Sequence, residues 1–384
     1  MRLSSSSSEL FGGVLARGDV PAAVDDTAWL HAMLQVEAAL AEVQAANGII
    51  SAAAAEEIAA AAKPDRFDLA GLGERAAESG NPVVPLVADL RAAVPADVAP
   101  AVHHGATSQD ILDTAAMLVA SRALRPILAD LAAAAEAAAQ LAGRHRDTQI
   151  LGRTLLQQAV PTTFGLKAAG WTVGLDEARQ RLAEVRRDRL AVQLGGAAGN
   201  LAPLGPAGPE VVHGLAALLG LAEPVLPWHT NRVRVAELAG ALGTAAGVIA
   251  KVARDVTLLA QNEVGEVSDA QPGGSSAMAH KRNPVAAVCA AGCAAAAPGL
   301  VATLLAAMAH EHERAAGAWH AEWGPLRSLL IATGSAASWL RACLERLEVH
   351  PEAMRKNLES SGITAAGPDA AAILVDRALR ARRG

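Results

Sequence analysis

Gly273-Gly274-Ser275-Ser276-Ala277-Met278-Ala279-His280-Lys281-Arg282-Asn283-Pro284 separates two long runs rich in alanine, leucine and valine, roughly 231–268 and 284–322. Apolar residues recur at helical spacing in both runs, so the segment reads as a loop that leaves one helix and starts another. Asn283 followed by Pro284 predicts an N-cap and a first helical residue. Lys281 and Asn283 then stand where a helix offers free N–H groups and partial positive charge, a natural seat for a carboxylate. The glycines and paired serines ahead of them predict a flap able to close over a ligand. A plain glycine–serine linker accounts for the flexibility but not for the His-Lys-Arg-Asn-Pro that follows.

Outward from this loop, further helices are expected over roughly 108–145 and 161–194, with shorter ones over 209–219 and 325–347. At 1.5 Å per residue the run over 231–268 reaches about 55 Å. Helices that long, apolar round much of their circumference, cannot bury themselves within one small domain and imply a bundle shared between subunits. Before Pro100 the chain breaks into short pieces at Pro64, Gly71, Gly73, Pro82, Pro85 and Pro95, although Asp26 to Asn47 is one clear helix, with Asn47-Gly48 as a left-handed stop. Three domains are expected: 1–106, a central bundle over 107–348, and a small C-terminal part over 349–384. With Phe at 3, Tyr at 0 and short β-branched runs, the fold class is all-α.

A net charge of -6 and the lack of a basic stripe argue against nucleic acid as partner and leave a small molecule. No uninterrupted apolar stretch of bilayer length is expected to survive the scattered charges, and Met1 to Glu9 is a serine tract without a signal peptide's apolar core. A cytoplasmic protein with no membrane contact is the expectation. Cys289, Cys293 and Cys343 form no CxxC pair, so small apolar roles are expected of them. His310, His312 and His320 are spaced so that they do not share one helix face. Solvated or inter-subunit roles are expected of them, with no metal.

Two further polar segments open helices. His103-His104-Gly105-Ala106-Thr107-Ser108-Gln109-Asp110 places Thr107 as N-cap and Asp110 three residues later, a capping-box spacing. Its histidines and hydroxyls make a second carboxylate cradle plausible beside the bland reading of a helix start. Gly152 to Gly165, which includes Arg153, Thr154, Gln157 and Gln158, reads as a polar turn entering a helix at Pro161. Antiparallel packing between chains can bring three such starts to one point.

In order and spacing these segments resemble the three signature regions of the fumarase/aspartase superfamily, and the likeness spans nearly the whole chain. The flanks resemble most the superfamily's bacterial 3-carboxy-cis,cis-muconate cycloisomerases: Asn81 to Leu86, His103 to Asp110, Arg153 to Ala159, Pro227-Trp228-His229-Thr230, His312-Glu313-Arg314 and Trp319 to Trp323. The resemblance implies a three-domain, cofactor-free helical homotetramer with a shared 20-helix core, each site drawing on three subunits. It implies Ser275 as general base and Lys281 and Asn283 as carboxylate ligands. Thr107, Ser108 and Gln157 fall at substrate-contacting positions, as do the signature's Ser276, Met278, His280 and Arg282. His103 matches an active-site histidine of adenylosuccinate lyases, and Trp228 and Trp323 are expected to border the site.

Departures from the superfamily's pattern bear on the reaction. Many of its C–N and C–O lyases carry Thr-His in the second region and a glutamate after the Lys-x-Asn-Pro, a pair that protonates the leaving group; here Leu155 and Val288 stand there. An amine or hydroxide leaves badly without a proton, whereas a carboxylate, with a pKa of roughly 4, leaves unaided. That favours a lactone-forming cycloisomerase acting on a small tricarboxylate or dicarboxylate in aromatic catabolism. A C–N lyase releasing nitrite, like the nitrosuccinate lyases, is the alternative, and a catalytically impaired relative is a third. Ala279 replaces the usual proline, Asn200 a threonine, Val233 interrupts a common Gln-Arg-Asp-Arg pattern, and the C-terminal part looks short for the family.

Overall fold

The computed structural model describes residues 9–278, 280–364 and 370–382. Ala279 and the Gly367-Pro368 break lie outside the described residues. The chain opens with α1 (Glu9–Leu15), α2 (Val20–Ala23), α3 (Asp26–Ala46), α4 (Ala52–Ala61), α5 (Leu69–Ser79) and α6 (Val83–Ala92). Asp25 starts α3 by accepting the Ala28 N–H at 2.7 Å. Gly48 follows the helix in the left-handed region at φ +69°, as the Asn-Gly pair predicts.

Long helices follow: α7 (Ser108–Arg144), then a hairpin of β1 (Gln149–Thr154) and β2 (Gln157–Thr163), then α8 (Phe164–Asp188), α9 (Gly208–Leu219) and α10 (Val233–Leu259). The remainder is β3 (Val267–Asp269), α11 (Val285–Ala295), α12 (Ala297–Ala306), α13 (Ala318–Glu345), β4 (Leu347–Val349), α14 (Pro351–Ser361) and α15 (Ala371–Ala381). α7 lies along α8 and α13, and α10 packs on α8, α11 and α13. Buried alanines make this possible: Ala134, Ala135, Ala138 and Ala142 on α7, and Ala239, Ala245, Ala246 and Ala253 on α10. Small side chains let helix axes approach within the roughly 8–10 Å of close ridge-in-groove packing. α3 packs on α7 and α9, which places an N-terminal helix beside the start of α7.

The molecule is predominantly helical, as expected, with three corrections. The helix expected over 284–322 is broken into α11 and α12, and residues 307–317 are not helical. Pro298, at the start of α12, has no N–H for the helical ladder. The later helix begins at Ala318 rather than 325 and carries Pro325 inside it. The turn expected to enter a helix at Pro161 is instead the antiparallel β1–β2 pair, with Thr163 capping α8 through Leu166 N–H at 3.1 Å.

The expectation that no stretch is long and apolar enough for a bilayer also fails on composition. Val233–Leu259 and Val285–Ala306 have mean hydropathies of 1.5 and 2.0, though both pack in the bundle, with 50% and 33% of their apolar windows buried within this one chain.

Candidate active site

The Thr107 turn is built from below. The Thr107 N–H donates to Asp110 Oδ2 at 2.9 Å, the side-chain half of a capping box. Asp110, fully buried, also accepts Gly195 N–H at 3.0 Å and Gly196 N–H at 2.9 Å, and His229 Nε2–H donates to its Oδ1 at 2.6 Å. One carboxylate therefore fixes the first turn of α7, the 195–196 loop and the Trp228-His229 segment. Thr107 and Ser108 are half-buried, and the Thr107 side chain completes the box by accepting the Asp110 N–H. His103 sits at φ +62°, an uncommon conformation for a side-chain-bearing residue. Its Nδ1 lies 2.6 Å from Glu37 Oε1. Burial opposes charge on this imidazole, yet the Glu37 carboxylate outweighs it and the pKa is raised.

Beneath the turn lies a charged core. Arg232, 3% exposed, donates through Nη1 and Nη2 to Asp113 at 2.7 and 3.1 Å, and through Nε and Nη2 to Glu322 at 2.9 and 2.5 Å. Burial disfavours the guanidinium's charge, but the two carboxylates dominate and its pKa is raised. Trp319 Nε1–H donates to Asp113 at 3.0 Å, and Gln109 Nε2–H to Asp113 at 3.1 Å and to the His229 carbonyl at 2.8 Å. Arg314 donates to Gln109 Oε1 at 3.1 Å and to the Ala197 carbonyl at 2.9 Å. The sequence flagged these stretches only as flanks; tertiary packing makes them one support. A run such as Asp110 to Asp113 on a helix otherwise reads as a solvated face, so local pattern held no signal for it.

Gln157 lies on the hairpin and is exposed, as is Gln158. Thr154 pairs with Gln157 across a two-residue turn whose residues, Leu155 and Leu156, have φ of +51° and +63° and are 96% and 68% exposed. Positive φ is what a tight two-residue hairpin demands, and leucine meets it at a steric cost. Arg153 anchors the hairpin by a bidentate pair with buried Glu266 at 2.8 and 2.9 Å, and Asn357 Nδ2–H of α14 donates to the same carboxylate at 2.9 Å.

The Ser275 flap is closed by its own backbone. Gly273 and Asn283 exchange N–H and carbonyl, each at 2.9 Å, and Asn283 Nδ2–H donates to the Gly274 carbonyl at 3.2 Å. Asn283 therefore does not cap the next helix; α11 starts at Val285, after Pro284. Ser275 Oγ accepts the Ala277 N–H at 3.3 Å and the Met278 N–H at 3.2 Å. Both N–H groups belong to the same loop, so the flap supplies its own donors to that oxygen. Ser276, Met278, His280, Lys281 and Arg282 are exposed, and no ion pair holds Lys281, Arg282 or His280 among the described residues. Val288, 53% exposed, follows on α11.

Among the described residues no hydrogen bond or ion pair joins the turn, the hairpin and the flap within the chain. Other expectations resolve individually. His310 is neither solvated nor at a surface: its Nδ1–H donates to the His229 carbonyl at 3.3 Å and its Nε2 lies 3.3 Å from Glu322. His320 Nε2–H, exposed, donates to the Gly80 carbonyl at 2.9 Å. Trp228 is buried on the support, its Nε1–H on the Val192 carbonyl at 2.8 Å, and Trp323 packs edge-on to Trp319 with centroids 4.9 Å apart. Burial pushes the Cys293 thiol up to about 11 and Cys343 up to about 12, so neither is a thiolate at neutral pH. No group of three or more His, Cys, Asp or Glu among the described residues is placed to hold a metal ion.

This helical bundle, with polar groups on the α7 turn, the β1–β2 hairpin and the 273–283 loop, matches over residues 2–299 the family model described as Lyase. The chain belongs to that family and is an enzyme of the fumarase/aspartase superfamily. It is 47% identical over 365 residues to the 3-carboxy-cis,cis-muconate cycloisomerase of Bradyrhizobium diazoefficiens, covering 94% of this chain and 81% of that protein. It is 45% identical over 381 residues to the nitrosuccinate lyase of Streptomyces davaonensis, covering 96% of this chain and 80% of that one. Among solved structures it resembles the 3-carboxy-cis,cis-muconate lactonizing enzyme from Pseudomonas putida, with a TM-score of 0.87, 41% identity and coverage of 92% and 80%.

Proposed function

We propose that the protein is a 3-carboxy-cis,cis-muconate cycloisomerase. In the forward direction an oxygen of one carboxylate bonds to the β-carbon of a second, unsaturated acid, closing a lactone, while a proton arrives at the α-carbon. In reverse, the Ser275 alkoxide takes the α-proton, electrons pass into the neighbouring carboxylate, and the lactone C–O bond breaks to release the other carboxylate. The doubly charged aci-carboxylate between the two is the species to stabilise. Lys281, Arg282 and the flap amides supply positive charge at one end, and Thr107, Ser108 and His103 supply donors at the other, with Gln157 on the hairpin between them.

One observation carries this reading against other lyases of the superfamily. Leu155 and Val288, apolar and exposed, stand where the superfamily resemblance implies a histidine and a glutamate in lyases with poor leaving groups. A departing carboxylate needs no such proton.

The reading requires a homotetramer. The domain limits expected above, 1–106, 107–348 and 349–384, belong to this proposal, as does a 20-helix core shared by four chains. Its support is the apolar surface left uncovered on Val233–Leu259 and Val285–Ala306, whose windows are only 50% and 33% buried, together with three site segments that no hydrogen bond or ion pair joins among the described residues.

Closing the lactone destroys a conjugated diene, so ultraviolet absorbance falls when carboxymuconate is added to the wild type. In Ser275→Ala the rate drops on the order of 10²–10⁴-fold with the fold intact. Release of nitrite from nitrosuccinate, without loss of diene absorbance, would establish the second reading, which the 45% identity to a nitrosuccinate lyase favours. Inertness toward both, with the assembly intact, would leave an impaired relative.

A further inference from the structure

Glu37 lies in the middle of α3, 1% exposed, and no role above employs it. Its Oε1 is 2.6 Å from His103 Nδ1, while Oε2 is buried without a hydrogen-bond partner. A carboxylate so placed is costly unless a cation faces it. The charged groups acting on His103 are Glu37 from α3, Asp110 from α7 and Arg91 from α6. Asp110 is already satisfied by Thr107, Gly195, Gly196 and His229, which leaves Glu37 as the carboxylate that bonds the ring.

α3 also holds the backbone of this turn, through Gln44 Nε2–H on the His104 carbonyl at 2.7 Å. Glu37 and Gln44 are two helical turns apart and so share a face. That face clamps both the ring and the chain of a residue in the sparsely populated left-handed region. With Nδ1 committed to Glu37, Nε2 makes no hydrogen bond among the described residues, and the side chain remains 13% exposed.

We propose that Glu37 is a positioning residue: it keeps His103 an imidazolium, Nδ1–H on the carboxylate, so that Nε2–H joins the Thr107 and Ser108 hydroxyls in binding a substrate carboxylate. The proposal rests on the carboxylate-binding reading of the turn given above. Its signature is a pH dependence with a defined sign. The folded imidazole titrates above the free value of about 6.5. The stabilisation from the pair is therefore complete below that pH and is lost as pH rises through the folded value. Substrate affinity falls along the same alkaline limb.

The experiment titrates the intact protein. The His103 ring is followed by NMR with histidine-selective isotope labels, and KM and kcat for carboxymuconate are measured over the same pH range, in wild type and Glu37→Gln. The expected wild-type midpoint lies above about 6.5, and it falls by about one unit or more in Glu37→Gln, with KM at pH 8 rising roughly tenfold and kcat changing less. Glutamine keeps the size and an acceptor, so a merely structural role loses stability without moving the limb. A wild-type midpoint at or below about 6.5 overturns the proposal, as does a Glu37→Gln protein with midpoint and KM unmoved. If Glu37→Gln fails to fold, the wild-type midpoint alone decides. A shifted midpoint in a protein inert to carboxymuconate supports the Glu37 pair and sinks the substrate, which keeps the two failures apart.

Discussion

The Thr107 turn and the Ser275 flap carry the same kinds of side chain, hydroxyls beside cationic or amide donors, yet they are held in opposite ways. Under the turn, Asp110 joins three stretches of chain and Arg232 is clasped by two buried carboxylates. The flap is held by Gly273–Asn283 backbone bonds and by donors within its own loop. One chain thus builds a rigid receiving surface and a self-contained arm with exposed Lys281 and Arg282. Under the proposed function the preorganised turn receives the substrate and the flap closes over it.

The contrast breaks most visibly at Arg232. Arg232→Met leaves Asp113 and Glu322 buried without their cation and should cost about 3–5 kcal/mol in urea unfolding. A loss below about 1 kcal/mol would mean that the support is not what holds the turn. Next in size is a mixing test of whether the arm of one chain serves the turn of another. Ser275→Ala and Thr107→Val proteins, each inactive, are unfolded and refolded together. Chance association should then restore roughly a quarter of wild-type turnover. No recovery, with mixed assemblies verified by mass, places both segments of each site in one chain.

The smallest effect is expected at the hairpin. Leu156→Gly relieves a left-handed leucine and should raise stability by about 1 kcal/mol. If the turn faces substrate in the assembly, turnover falls as stability rises. A variant gaining stability with unchanged kcat and KM would remove this turn from the site.

Much of this was legible before any fold was known. The α7 limits follow from Thr107 and the periodicity to Arg144, and the α3 stop from Asn47-Gly48. Both signals are local: a cap or a left-handed residue acts within one turn. The missed features were not local. The hairpin hides because Val160, Pro161 and the threonines read as helix entry, and only pairing with β1 makes them a strand. The break between α11 and α12 went unseen because alanine masks a proline's effect on periodicity.

The buried ion pairs have no sequence signature, since a lone aspartate at 113 or arginine at 232 reads as a surface charge until its partner arrives from more than a hundred residues away. The sequence by itself determined the helical class, the polar turn that opens α7 and, through the family resemblance, the absent leaving-group acid, because those depend on residue type and near neighbours. Only the tertiary structure decided that Glu37 faces His103 and that Asp110 and Arg232 organise the support. Only it, likewise, showed the flap bonded within its own loop. Such contacts are set by how distant helices pack, which no window along the chain encodes.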